Sequence, residues 1–158
     1  VLVIAGTGAV AFAGRPGAFV KTGGCNPPSG DPGSGRWLGR QYLAMLGRLD
    51  EAGPMGHGRC AAYAGRLLAR ARRGDRDCAV LEAAAQHELA CLLKEAAPAR
   101  GPVKAATAGG LMDDAAFRAG FMAAARRALG GRRIIFVRAG MTAENAAARL
   151  ALLRRGKK

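Results

Sequence analysis

The stretch VLVIAGTGAVAFAGRPG (residues 1–17) decides the fold. Residues 1–5 are apolar, include β-branched side chains and run directly into glycine, which is typical of a short buried strand. Residues 10–13 and 18–21 have the same character, and the breakers GRPG between them favour a hairpin turn. The chain is therefore predicted to begin with a three-strand meander whose first turn is a bare Gly-Thr-Gly.

The residues after the meander predict a helical segment and then an alternation of strands and helices. The loop GGCNPPSGDPGSG (residues 23–35) contains too many breakers for a regular element. Apolar side chains at helical spacing follow, so about residues 37–97 are predicted to be a helical insertion, with helices over 37–49, 59–73 and 77–96. The apolar spacing predicts that the first of these helices ends at Leu49.

The last third of the chain predicts parallel strands. A strand over residues 103–106 precedes a helix capped by Asp113 or Asp114, a strand over 134–137 and a last helix capped by Thr142. Strands that alternate with helices pair in parallel. We therefore predict a single α/β domain over residues 1–158, with a mixed sheet and flanking helices in the ribonuclease-H-like arrangement.

Composition and charge limit the classes of protein to which this chain can belong. The chain has 158 residues, half of them apolar, which is enough to bury a core. The formal charge of +14 is compatible with a nucleic-acid or phosphate partner, but the arginines are scattered along helices, as on solvated helix faces. No helix-turn-helix, zinc-finger or aromatic-basic signature is present, so specific nucleic-acid binding is not expected.

Cysteine spacing argues against a zinc site, and hydropathy argues against a membrane-spanning segment. Cys25, Cys60, Cys78 and Cys91 show no Cys-x-x-Cys pair, so no zinc site is predicted, and free thiols fit a reducing, cytoplasmic compartment. The apolar runs are far shorter than the roughly 20 residues that cross a bilayer, so no membrane association is expected. The start of the chain also lacks the pattern of a secretion signal.

Two glycine turns are candidates for holding a phosphate or a flat ligand. In the Gly6-Thr7-Gly8 turn, backbone N–H groups can point at one anion with no Cβ in the way, and the Thr hydroxyl adds a donor. The second turn, Gly109-Gly110, lies between a strand and a capped helix, where the helix dipole favours an anion. Taken alone, each turn is more commonly explained by the steric need for glycine.

The Gly- and Pro-rich loop holds one carboxylate, Asp31. An Asp flanked by glycines can accept paired hydroxyl hydrogen bonds from a polyol, or it can cap the following helix. Several residues separate Asp31 from that helix, which weakens the capping interpretation.

The order of these segments carries a resemblance. The motifs IAGTGAVAFAG, GG…GDPGSGRWLGRQ and AGGL resemble the C-terminal lobe of the BadF/BadG/BcrA/BcrD ATPase family, which includes N-acetylglucosamine and glucosamine kinases of the actin-like and sugar-kinase superfamily. The match covers nearly the whole chain and is strongest over residues 1–41. The chain departs from the family's pattern at Ala9, Cys25, Asn26 and Pro32, where the family has Ser, Trp, Gly and Glu.

The resemblance implies an ATP site and a sugar site, which we expect to meet in one cleft. Mg²⁺ would be held mainly through phosphates and water, and no residue of the chain is assigned as a metal ligand. The residues implied for ATP are Gly6, Thr7, Gly8, Gly109 and Gly110, and those implied for the amino sugar are Gly24, Cys25, Asn26 and Asp31.

The resemblance also implies a partner lobe. In these kinases a first lobe supplies a phosphate loop and the Asp that acts as base, so no residue of this chain is predicted to be catalytic and the chain alone is expected to be inactive. We expect the chain to be the C-terminal lobe, with the missing N-terminal lobe, ATP and an amino sugar as partners. A homodimer is a further candidate assembly.

Two other functions stay open at this point. The family's other branch consists of ATPases that activate dehydratases and reductases, and these carry a cluster-ligating Cys just ahead of a Gly-Thr-Gly-Arg turn. The comparable turn here is Gly-Ser-Gly-Arg (residues 33–36), and residues 26–32 contain no Cys, so this function ranks lower. A non-catalytic basic binding module is the other alternative, supported by the charge alone.

Overall fold

A computed structural model describes residues 1–15, 18–25, 27–28 and 30–137. Within these ranges the strands are β1 (Leu2–Ala5), β2 (Ala9–Arg15), β3 (Ala18–Gly23), β4 (Val103–Ala108) and β5 (Ile134–Phe136). They form one sheet in the order β3-β2-β1-β4-β5. The predicted Asn26 sugar contact and the predicted helix beginning at Thr142 lie outside the described residues.

The pairing directions confirm the predicted fold class. β1 pairs antiparallel with β2, and β2 with β3, as short connections allow. β1–β4 and β4–β5 are parallel pairs, and helices lie between β4 and β5 as a crossover requires. The sheet is therefore mixed, with the ribonuclease-H-like strand order. β1 lies at its centre, where Val3 and Ala5 are fully buried.

Helices flank this sheet, and each one in the described ranges is too short or too polar to span a bilayer. A 3-10 turn (Leu49–Ala52) stands between the first two helices. The helices are α1 (Gly35–Met45), α2 (His57–Arg72), α3 (Arg76–Ala96), α4 (Gly110–Asp113) and α5 (Ala115–Ala128).

α1 begins and ends earlier than the sequence pattern predicts. Its N-cap is Ser34, whose buried Oγ accepts a hydrogen bond from the Trp37 N–H at 3.1 Å, so helical geometry starts at Gly35. The helix stops at Met45 because Gly47 adopts a φ of +70°, which ends helices in the way a left-handed glycine does. The apolar Leu49 that extended the prediction belongs to the 3-10 turn instead.

The core joins the sheet to α3 and α5. Phe117 and Phe121 of α5 and Leu89 and Leu93 of α3 are fully buried in one cluster with the inward side chains of β1 and β4. Large buried side chains of this kind contribute about 1.5–3 kcal/mol each relative to exposure. This cluster fixes the position of the sheet, and the two glycine turns follow its strands β1 and β4.

α1 and α2 cross with their backbones in close contact at Gly39. A Cβ atom placed on Gly39 would overlap the carbonyl oxygen of Cys60 in α2. Backbone cannot move aside as a side-chain tip can, so glycine is required at this crossing.

We expect Gly39→Ala to lower the free energy of unfolding by about 1–3 kcal/mol, because the added methyl overpacks the α1–α2 contact. The matched control is Gly65→Ala in α2, where a Cβ meets no atom within 4 Å. That change should raise the free energy of unfolding by up to about 1 kcal/mol through helix propensity. Urea denaturation followed by circular dichroism measures both; equal effects of the two substitutions would contradict the packing argument.

Candidate functional site

The Gly6-Thr7-Gly8 turn connects β1 to β2 and is fixed to the start of α1. The carbonyl oxygens of Gly6 and Thr7 accept hydrogen bonds from the Gly35 and Arg36 N–H groups at 2.7 and 3.1 Å. The Gly6 N–H donates to the Gly8 carbonyl at 2.9 Å. Thr7 itself is exposed. Three donors of the turn have no hydrogen-bond partner within the described residues: the Thr7 N–H, the Thr7 hydroxyl and the Gly8 N–H. The turn therefore retains several donors for an anion.

Two other glycines allow chain segments to approach this turn. A Cβ on Gly35 would lie 2.9 Å from the Gly6 carbonyl oxygen. Gly109 has a φ of +96°, and a Cβ there would lie 2.5 Å from the Ala5 carbonyl oxygen. Either contact excludes a side chain, so β1, α1 and the end of β4 meet backbone to backbone. The predicted site residues include Gly109 but not Gly35, although the sequence analysis noted the glycine-rich segment that contains Gly35.

A hollow of about 670 Å³ opens beside this junction, and we call it the α2 cleft. It is long rather than round. A Cβ on Gly35 would contact Ala61 Cβ at 3.4 Å, which places the Ala61 end of α2 at the glycine turn. Arg72 lies eleven residues further along α2, a rise of about 16 Å. The lining residues are Gly6, Thr7, Gly35, Ala61, Ala62, Ala64, Gly65, Leu68, Ala69, Arg72, Gly110, Leu111 and Asp114.

The middle of the α2 cleft is lined by small and apolar side chains of α2, which the sequence analysis missed. Ala61, Gly65, Leu68 and Arg72 recur at three- and four-residue spacing and so share one face of the helix. This spacing is visible in the sequence and could have identified the face of α2 that lines the cleft. The pattern by itself predicted only a helix, because a small-residue face packs against another element more often than it opens to a ligand.

The far end of the α2 cleft is polar. Arg72 of α2 makes two hydrogen bonds to the buried Glu82 carboxylate of α3, with Nη2–Oε1 at 2.9 Å. Its Nη2 also donates to Asp114 Oδ1 at 3.0 Å. Gln86 Nε2 donates to Glu82 Oε1 at 3.1 Å. These contacts join α2, α3 and the start of α5 and hold the Arg72 guanidinium in place.

Asp114 is the N-cap of α5, as one of the two predicted alternatives had it. Its Oδ1 accepts the Phe117 N–H at 2.8 Å. This backbone hydrogen bond, followed by the pairing with Arg72, lowers the pKa of Asp114, although partial burial opposes the shift. Asp114 is therefore a fixed carboxylate at the rim of the cleft.

The predicted sugar residues line a second, smaller hollow of about 250 Å³. Gly24, Cys25 and Asp31 lie there, across from Glu88 and Glu95 of α3. The residues predicted for ATP and those predicted for the sugar were expected to share one cleft, and this expectation is wrong. Gly6, Thr7 and Gly110 line the α2 cleft, whereas Gly8 and Gly109 line neither hollow.

Asp31 connects the second hollow to the glycine turn. It is 6% exposed, and its Oδ2 accepts the Ala9 N–H at 3.2 Å. The same oxygen would lie 3.0 Å from a Cβ on Gly8. Asp31 does not cap α1, because Ser34 has that role. Its carboxylate therefore supports the start of β2 directly behind the turn.

The described residues fit a nucleotide better than they fit a directly bound metal. The α2 cleft offers unpaired donors at one end, a cradle that side chains on Gly65 or Gly110 would occupy, and a polar far end. In contrast, no three His, Cys, Asp or Glu side chains among the described residues come together in a way that could hold a metal ion.

No family model and no curated protein matches the chain. Among solved structures, the chain is similar to a protein of Chromobacterium violaceum provisionally described as an N-acetylglucosamine kinase. The TM-score is 0.72 and the sequence identity 23%, over 94% of this chain and 58% of that chain. The chain thus spans less than two thirds of that structure's length, and the likeness shows the fold alone: a mixed sheet with flanking helices arranged as in that protein.

The two Asp N-caps predict an acid-dependent loss of stability. Backbone N–H groups at the starts of α3 and α5 lower the pKa of Asp75 and Asp114 below the ordinary value of 3.8. Their contribution is present above pH 3.8 and is lost as the pH falls through the lower folded-state pKa values. In the double variant Asp75→Asn, Asp114→Asn, the caps remain but do not titrate, so the free energy of unfolding should fall less steeply between about pH 4 and pH 2. Urea denaturation across this range measures the slope, and an unchanged slope would contradict the assignment.

Proposed function

We propose that this chain is the nucleotide-facing part of an ATP-dependent amino-sugar kinase. The observation that carries the proposal is the α2 cleft, which runs from the donor-bearing Gly6-Thr7 turn past Gly110 to the polar end of α2. A nucleoside triphosphate is likewise extended, with an anionic triphosphate at one end and, beyond the polar ribose, a flat base at the other. The fold likeness to a protein described as an N-acetylglucosamine kinase supports the same class of reaction.

The phosphates belong at the glycine turn in this proposal. The Thr7 N–H and hydroxyl and the Gly8 N–H have no partner within the described residues, and oriented N–H donors of this kind bind anions. The first two N–H groups of α1 are already used by the turn's carbonyls, so they hold the turn rather than the ligand. Mg²⁺ bound to the phosphates would neutralise the charge that develops there during transfer.

The adenosine would occupy the stretch between Gly110 and α2. Gly110 is exposed, and a Cβ there meets nothing within 4 Å, so this surface is open. Gly109 supports it from behind through its contact with Ala5. On α2, Ala61 has a small side chain and Gly65 has none, which leaves room for a flat ring system.

The amino sugar is assigned to the second hollow, with N-acetylglucosamine and glucosamine as the substrates to test. Gly24 and Cys25 line it, and Asn26 stands next to them in the sequence. Asp31 is the proposed acceptor for a sugar hydroxyl. Its contact with Gly8 and Ala9 connects this hollow to the turn proposed for the phosphates.

The reaction needs groups that this part of the molecule does not place at the α2 cleft. Phosphoryl transfer requires in-line placement and a charge clamp from both sides. The carboxylate that lines the cleft in the described residues, Asp114, already caps α5 and pairs with Arg72. We propose that a second lobe supplies the base and the opposing phosphate contacts, in keeping with the 58% coverage of the kinase-like structure. We also propose a cytoplasmic location, which the free thiols support.

Nucleotide binding tests the cleft directly. We expect the chain to bind ATP measurably, and Gly65→Phe to weaken that binding at least tenfold, because the ring would fill the middle of the α2 cleft. The matched control is Gly58→Phe, on the same helix, where a Cβ also meets nothing within 4 Å but the residue does not line the cleft.

Isothermal titration calorimetry on the three proteins gives the dissociation constants, and thermal melts confirm that both variants fold. Equal affinities of the wild type and Gly65→Phe would show that the nucleotide does not use the α2 cleft. Absence of ATP binding in the wild type would reject the proposed function as a whole.

The proposed division of labour predicts binding without turnover. With ATP and Mg²⁺ present, the chain should not phosphorylate N-acetylglucosamine or glucosamine, because the base and the opposing phosphate contacts lie elsewhere. A coupled ADP-release assay measures this, with a complete amino-sugar kinase as the positive control. Clear turnover by the chain would overturn the need for a second lobe.

A further inference from the structure

The polar far end of the α2 cleft contains a carboxylate whose surroundings are more elaborate than a helix cap requires. Asp114 lines the cleft, caps α5 and pairs with Arg72, which is in turn held by Glu82. Any of Ser, Thr, Asn or Asp would satisfy the cap. The chain instead places an anion here and orients it with a guanidinium that is itself fixed by a buried carboxylate.

The hydrogen bonds of Asp114 leave accepting capacity toward the cleft. A carboxylate offers about four lone-pair positions over its two oxygens. The Phe117 N–H and Arg72 Nη2 both donate to Oδ1, and the Ala116 backbone N–H is a further, weaker donor to the carboxylate. The side chain is 36% exposed, and Asp114 is among the residues that line the α2 cleft. A ligand group that donates a hydrogen bond can therefore reach it.

Arg72 is less available than Asp114. Three of its five N–H donors are engaged, two by Glu82 and one by Asp114. Pairing with these carboxylates, Glu82 first, raises the pKa of Arg72 and keeps it charged. Arg72 is thus a positioning residue that fixes the carboxylate, whereas Asp114 is the group left to contact a ligand.

Distance places Asp114 at the nucleoside end of the cleft. Gly110 lies near the glycine turn, since its N atom is 3.9 Å from a Cβ position on Gly6. Asp114 is four residues beyond Gly110, past the single turn of α4, and contacts Arg72 at the end of α2 that is remote from Ala61. A phosphate group at Asp114 would be repelled by its charge, whereas the Thr7 turn offers N–H and hydroxyl donors, which favours an orientation with the phosphates at the turn.

We propose that Asp114 is a nucleoside-recognition residue, which accepts a hydrogen bond from a donor on the nucleoside of the bound nucleotide. This inference rests on the proposed function, because it assumes that a nucleotide fills the α2 cleft. The donor is a ribose hydroxyl or the exocyclic amine of the base, and the two sources share the same chemistry. Asp114 then orients the nucleotide along α2, with its phosphates at the Thr7 turn.

The test compares four ligands and two variants of the full chain. The ligands are ATP, 2′-deoxy-ATP, 3′-deoxy-ATP and inosine triphosphate; the three analogues lack the 2′-hydroxyl, the 3′-hydroxyl and the exocyclic amine, respectively. Asp114→Ser keeps a good N-cap but withdraws the carboxylate from the cleft. The matched control is Asp75→Ser, because Asp75 also caps a helix and pairs with an arginine of α2, Arg70, but does not line the cleft.

We expect the wild type and Asp75→Ser to bind at least one analogue about tenfold or more weakly than ATP, the loss typical of one hydrogen bond to a charged group. Asp114→Ser should bind ATP as weakly as the wild type binds that analogue, with the discrimination abolished. The analogue affected identifies the donor: a deoxy form points to the ribose and the inosine nucleotide points to the amine.

Calorimetry gives the affinities, and thermal melts separate binding from folding. If Asp114→Ser and Asp75→Ser lower the melting temperature similarly while Asp114→Ser keeps the wild-type discrimination, Asp114 is only a cap and the inference is overturned. Equal wild-type affinity for all four ligands also overturns it, with ATP binding and the proposed function intact. Failure of the wild type to bind any nucleotide rejects both.

Discussion

The candidate site depends on how the β1–β2 turn is attached to α1. The Gly6 and Thr7 carbonyls accept the first two N–H groups of the helix, so the turn and the helix start behave as one rigid unit. A free helix N-terminus is itself an anion site. Here its donors are used internally, and the donors available to an anion belong to the turn instead. The helix dipole still favours negative charge at this place.

Small residues also make the α2 cleft possible. Gly35 and Gly109 allow backbone contacts that a Cβ would prevent, whereas Gly65 and Gly110 border empty space. Glycine in the middle of a helix costs stability, so Gly65 is better explained by the space that it leaves than by local helix formation. At the other end of α2, the ion pairs of Arg72 hold three helices together.

Asp31 shows where reasoning from residue type reaches its limit. A carboxylate among glycines predicted either a polyol contact or a helix cap. The cap belongs to Ser34, and Asp31 supports the Ala9 N–H from a buried position beside Gly8. The residue type and the loop are visible in the sequence, but the partner of its Oδ2 lies 22 positions away and is known only once β2 and the loop are packed.

For the described residues, the sequence by itself determined the order of the strands and of the longer helices, the mixed sheet and two of the glycine turns, because strand and helix periodicity and the conformational freedom of glycine are local properties. Element ends shifted by a few residues where a cap such as Ser34 replaced apolar spacing as the deciding factor. Only the tertiary structure decided that Thr7 and Gly110 share a cleft with one face of α2 while Asp31 lines another hollow. Periodicity shows which residues share a face, but the element that packs opposite that face is set by long-range contacts.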